Sequence, residues 1–141
     1  TFDPSGNNFN WQSVVSTNGG SSWDSSSIYE NVGSKTFGNE TESRYYGDGG
    51  GPNILFGGDV DNTAGVRVGG MFTLISPGDS YHTWIFYRSA TYGQGGAGVT
   101  MMHREGVARY KSTTAVNGFR VQTQSAAYNA AWVGRMYGRI K

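Results

Sequence analysis

Tyr81-His82-Thr83-Trp84-Ile85-Phe86-Tyr87-Arg88 is the stretch whose reading decides the fold. It is built almost wholly from β-branched and aromatic residues, which suit a pleated and half-buried surface. Side chains in a strand alternate between faces, so His82, Trp84 and Phe86 fall on one side and Tyr81, Thr83, Ile85 and Tyr87 on the other. No comparable run of helical periodicity exists in the chain.

Working outward, Ser76-Pro77-Gly78-Asp79 is a turn that precedes this strand. Before it, Val66–Ile75 reads as a long strand with Gly69-Gly70 at its middle, where a bulge or bend is expected. Further upstream, Phe9, Trp11, Ser13 and Val15 alternate with polar neighbours, and Ile28–Val32, Glu42–Tyr46 and Asn53–Phe56 read as short strands. Asn18-Gly19-Gly20-Ser21-Ser22 is a strong turn signal, and Gly47-Asp48-Gly49-Gly50-Gly51-Pro52 reads as a loop. Downstream, a glycine-rich loop from Tyr92 to Gly98 leads to a strand over Val99–His103. Arg104-Glu105-Gly106 is expected to turn the chain into Val107–Lys111. Asn117-Gly118 then precedes Phe119, Val121 and Thr123, and a last strand is expected over about Ala131–Ile140. The helical candidate is one turn near Ser125–Ala130. About nine or ten short strands at spacings of roughly 8–14 residues predict an all-β fold, a jelly-roll-like antiparallel β-sandwich.

The chain has 141 residues, one domain's worth, and at this size it can bury roughly two-thirds of the surface its unfolded form exposes. Only 36% of residues are hydrophobic and 23 are glycine, but four Trp, nine Tyr and seven Phe argue against disorder. There is no cysteine, which rules out disulfides, zinc–thiolate centres and cysteine nucleophiles. No run of 18 apolar residues is present to cross a membrane as a helix. No signal peptide is visible. The chain opens at Thr1 without methionine, which points to processing or to a longer polypeptide of which this is the C-terminal part.

Net charge is +1, unevenly spread. Residues 1–61 carry eight acids against Lys35 and Arg44, whereas residues 62–141 carry nine bases against Asp79 and Glu105. Either the halves intermingle and neutralise each other, or they sit apart and mate head to tail with another copy. The bases are dispersed singly, without the dense basic stripe that nucleic-acid binding needs.

The inventory of catalytic groups is thin. His82 and His103 both lie in strand patterns, and no pair of acids is placed as a glycosidase would place it. Nucleophile-elbow, zinc-protease and Walker-type motifs are missing, and the glycine-rich loops lack the following helix that a phosphate cradle uses. An enzyme is not expected, and no cofactor is implied. Asp59-Val60-Asp61-Asn62 offers alternating oxygen ligands, making Asp59 and Asp61 a calcium candidate, but it lacks the glycine and glutamate of an EF-hand loop, and a hairpin turn is the plainer reading. Asn39-Glu40-Thr41 matches a glycosylation acceptor, relevant in a eukaryotic secretory pathway. Trp23, Tyr29, Tyr45, Tyr46 and Tyr92 lie beside or within polar loops. Flat rings among Asn, Asp and Ser are what a glycan or receptor surface requires, and they also serve protein interfaces or simply cover the open edges of a sandwich.

Two stretches carry a family resemblance. Ser16-Thr17-Asn18-Gly19-Gly20-Ser21-Ser22-Trp23-Asp24, followed by Tyr29, resembles a segment of jelly-roll domains in the virion surface proteins of tailed bacteriophages, such as tail fibres and capsid-exterior attachments. Val116-Asn117-Gly118-Phe119-Arg120-Val121 and the closing Val133-Gly134-Arg135-Met136-Tyr137-Gly138-Arg139-Ile140-Lys141 resemble the end of the same domains, and Gly70–Ile75 with Tyr81–Phe86 fits their middle strands. Asn18 stands where Asp is usual, and Arg139 is inserted before the terminal Ile-Lys. The resemblance implies a cofactor-free exterior domain of a virion that forms homo-oligomers, often trimers. Its expected partners are its own copies, other virion proteins and host surface glycans. The rival expectations are a carbohydrate-binding module of a non-viral secreted protein and a small glycan-cleaving enzyme.

Overall fold

The computed structural model describes residues 9–25, 28–38, 43–51, 54–60, 69–78, 80–95 and 98–123, and among these the chain is all-β without a helix. Eight strands follow one another: β1 (Phe9–Ser16), β2 (Tyr29–Phe37), β3 (Ser43–Gly51), β4 (Ile54–Val60), β5 (Gly69–Ile75), β6 (Thr83–Gly95), β7 (Gly98–Tyr110) and β8 (Gly118–Thr123). All pairings are antiparallel, in the order β3-β2-β7-β6-β4-β1-β8, with β5 also on β6.

β6 explains how one sheet becomes two layers. Its first half pairs with β5 and its far end, at Gly93, meets Val60 of β4, while β7 runs along its whole opposite edge. β3, β2, β7, β6 and β5 thus form one layer, and β4, β1 and β8 the other. Between them lies a core of Val15, Tyr29, Ile85, Tyr87, Ala108, Tyr110 and Val116, with Phe72, Leu74, Phe119 and Val121 packed against it. Phe72 of β5 and Phe119 of β8 meet edge to face across the layers, ring centroids 5.0 Å apart. This is the arrangement of a β-sandwich.

The ladder overrides several local turn signals. Arg104-Glu105-Gly106 is no turn: β7 runs unbroken through it, paired on both sides with β2 and β6. The glycine has another reason to be there. Tyr87 stands opposite Gly106 and donates a hydrogen bond from its hydroxyl to Asn31 Oδ1 (2.8 Å). A Cβ at Gly106 would run into that hydroxyl and stand 2.5 Å from the Val32 carbonyl oxygen. A strand glycine beneath an aromatic ring is a recognised device of twisted sheets. Likewise β3 continues through Gly47–Gly51, and β6 and β7 extend into the stretch read as a loop from Tyr92 to Gly98. Gly69 and Gly70 pair in regular register with Ala90 and Ser89 in place of the expected bulge, while residues 66–68 of that expected strand lie outside the described residues. Asp59 and Val60 belong to β4, and the rest of the expected turn, Asp61-Asn62, lies outside the described residues. The expected closing strand at 131–140, the helical turn near 125–130, the glycosylation acceptor at Asn39 and the calcium candidate's Asp61 lie outside the described residues.

Candidate interaction face

Two features of the surface are built from named side chains: a hydrogen-bonded arch at one end, and an open face on the five-stranded layer. The arch begins where β1 ends. Gly19 and Gly20 both have positive φ (70° and 88°), a backbone that glycine alone adopts without strain. Around them, Ser16 Oγ accepts from the amides of Asn18 and Gly20 and donates to Asn18 Oδ1, while the Ser22 amide donates to the same Asn18 oxygen. Asn117 closes the arch from the other side. Its side chain accepts from the Gly19 amide (2.7 Å) and donates to the Thr17 carbonyl (3.2 Å), and its own amide donates to the Ser16 carbonyl. The segments 16–24 and 116–121 are therefore one interlocked unit.

The arch is anchored to the core by two tyrosines. The Tyr29 hydroxyl accepts from the Val15 amide and donates to the Asp24 carbonyl, both at 3.0 Å. Tyr110 donates to Asp24 Oδ2 (2.7 Å). Burial first, and the nearby Asp24, push the Tyr29 phenol well above its ordinary value. Tyr110 is pushed up to about 12 by burial and then by its bond to the Asp24 carboxylate, which favours the protonated phenol.

These positions bear on two of the receptor candidates. Tyr29 is 1% exposed and belongs to the core, so its ring has no face to offer a ligand, and that expectation is corrected. Trp23 is half-buried: its ring edge lies over Gly20 and Gly118, and the Arg120 guanidinium sits over the ring, 4.5 Å from the centroid. Tyr45 and Tyr46 stand on β3 opposite Gly33 and Val32, and Tyr92 stands on β6 opposite Met101. Among the described residues no group of three or more His, Cys, Asp or Glu comes together to hold a metal ion.

The open face lies on the outside of the five-stranded layer. Register sets it out in rows: Glu30, Arg109, Trp84 and Ile75; then Val32, Val107, Phe86 and Thr73; then Ser34, Glu105, Arg88 and Met71. Its centre is apolar and exposed, with Met71 at 63%, Ile75 and Phe86 at 47%, and Trp84 at 42%. An open trough runs over Val32, Val107, Phe86 and Met71, with Arg88 and Glu105 at its side. The charges pair among themselves: Arg88 with Glu105 at 3.2 Å, and Arg109 and Lys111 with Glu30. Arg109 also lies over the Trp84 ring, 5.8 Å from its centroid.

No protein-family model, curated protein or solved structure matches this chain.

Loop composition does not mark the outer face, because its residues sit within strands. A signal for it was present. Met71-Phe72-Thr73-Leu74-Ile75 and Trp84-Ile85-Phe86-Tyr87 are nearly continuous apolar runs, the pattern of strands covered on both faces.

Proposed function

We propose that this chain is a contact domain, a jelly-roll-like module of a virion exterior of the tailed-phage type, working as a homo-oligomeric fibre or attachment part without catalysis or cofactor. The carrying observation is the open apolar face of the five-stranded layer. Exposed apolar patches of this extent mark sites of association, because leaving them in water forgoes the stabilisation that burial supplies. The interlocking of segments 16–24 and 116–121 adds support, since these are stretches on which the resemblance to phage surface domains rests. Contact with host surface glycans is a further role for such a domain, carried by the surface it leaves uncovered.

Native mass measurement of the purified chain tests the reading. A stable homo-oligomer, a trimer on the phage reading, is the expected result. A monomer at all concentrations that binds a glycan saturably would overturn it in favour of a carbohydrate-binding module, and release of sugar from a polysaccharide panel would overturn it in favour of an enzyme.

A further inference from the structure

The outer face of β2, β7, β6 and β5 has an occupant that its own chemistry specifies. β5 and β6 carry apolar residues in both directions: Phe72, Leu74, Ile85 and Tyr87 enter the core, while Met71, Ile75, Trp84 and Phe86 point out and remain exposed. Strands with this two-sided pattern are normally covered on both sides. Among the described residues only the inner side is covered.

We infer that the covering partner is a second copy of this chain, packed sheet on sheet against the Trp84–Phe86 face. The inference rests on the homo-oligomeric reading above and names the surface that makes the contact. Size supports it. Four strands at about 4.8 Å spacing and some six residues at about 3.3 Å give a face roughly 20 Å on a side. Side-chain relief raises that flat area of about 400 Å² toward the ~800 Å² each partner contributes to a stable interface. Charge supports it as well. Both signs occur on the face and are already paired within it, Arg88 with Glu105 and Arg109 with Glu30, so the face presents no field that repels its own copy. A self-complementary patch of this kind is what a symmetric contact demands. A glycan fits less well: Trp84 already carries Arg109 over its ring, and the ionic groups are engaged with one another.

Sedimentation velocity of the full chain, compared with Phe86→Glu and Met71→Lys, tests this. Circular dichroism and the thermal transition establish that each variant is folded. We expect an assembled wild type and folded variants whose self-association is at least tenfold weaker. A wild type that assembles while both folded variants assemble equally well overturns this face as the contact and leaves the homo-oligomeric reading standing. A wild type that is monomeric throughout overturns both, and glycan binding lost on Phe86→Glu would then reassign the face to a sugar. Met71→Lys, at the most exposed of these positions, decides the question if Phe86→Glu does not fold.

Discussion

Among the described glycines Gly106 leaves the least room for a side chain, with Tyr87 standing opposite it. Replacing Gly106 by Ala drives a methyl group into the Tyr87 hydroxyl and toward the Val32 carbonyl. Overpacking of this kind costs about 1–3 kcal/mol. Tyr87→Phe alone loses the bond to Asn31, about 1 kcal/mol. The two changes together are not expected to rescue each other, because the Val32 oxygen belongs to the backbone and remains in the way. Urea unfolding reads all three proteins, and a Gly106→Ala midpoint equal to wild type would refute the account of this pair. Asn117 is the second decisive residue. Asn117→Ala removes both side-chain bonds to the arch and is expected to lower stability by about 1 kcal/mol, since the groups it serves are near water. Asn117→Asp keeps the acceptor for the Gly19 amide but loses the donor to Thr17, so its thermal midpoint falls between the two.

At the scale of elements, the arch behaves as a strap tying the end of β1 to the start of β8. Trp23→Ala strips the cover from Gly20 and Gly118 and the platform under Arg120. Amide exchange over Ser16–Asp24 is expected to accelerate while the β6–β7 ladder keeps its protection; equal protection in both regions would show that the tryptophan does not hold the arch. The same scale shows what was legible in the sequence. The alternation in Thr83–Arg88 foretold both faces of β6, and Asn18–Ser22 announced its turn through glycine and asparagine. Glycine misled elsewhere. At Gly106, Gly47–Gly51 and Gly93–Gly95 it reads locally as a break, but pairing with distant strands holds these stretches extended. Which face of β6 enters the core depends on β1 and β8 closing over it, and no short window of sequence contains that. The candidate site is obscured likewise: polar neighbours in sequence mark Tyr29 as a surface ring, yet its hydroxyl needs hydrogen-bond partners such as Asp24 in order to be buried.

For the molecule as a whole, the tyrosines that anchor the arch set a limit on alkaline stability. Both phenols hold their protons more tightly folded than unfolded, where the value is about 10. The folded state therefore binds more protons between the two values, and stability must fall as pH rises there. The Tyr110 contribution is complete below about pH 10 and is lost as pH climbs through about 12, and Tyr29 acts in the same direction at still higher pH. Thermal melts across that window should show a falling midpoint, whereas Tyr110→Phe, whose ring cannot ionise, should flatten part of the slope. The larger question is what the sandwich presents. Its core is closed by the second layer and its arch by its own hydrogen bonds, which leaves the Trp84–Phe86 face as a broad apolar surface among the described residues. Peroxide footprinting reads that face in the unmodified protein. Met71 lies on it and is largely exposed in one chain, whereas Met102 is fully buried and serves as the internal reference. At concentrations where the chain assembles, Met71 is predicted to be protected nearly as well as Met102 and to become reactive on dilution. Oxidation of Met71 at the rate of an exposed methionine in the assembled protein would contradict the account.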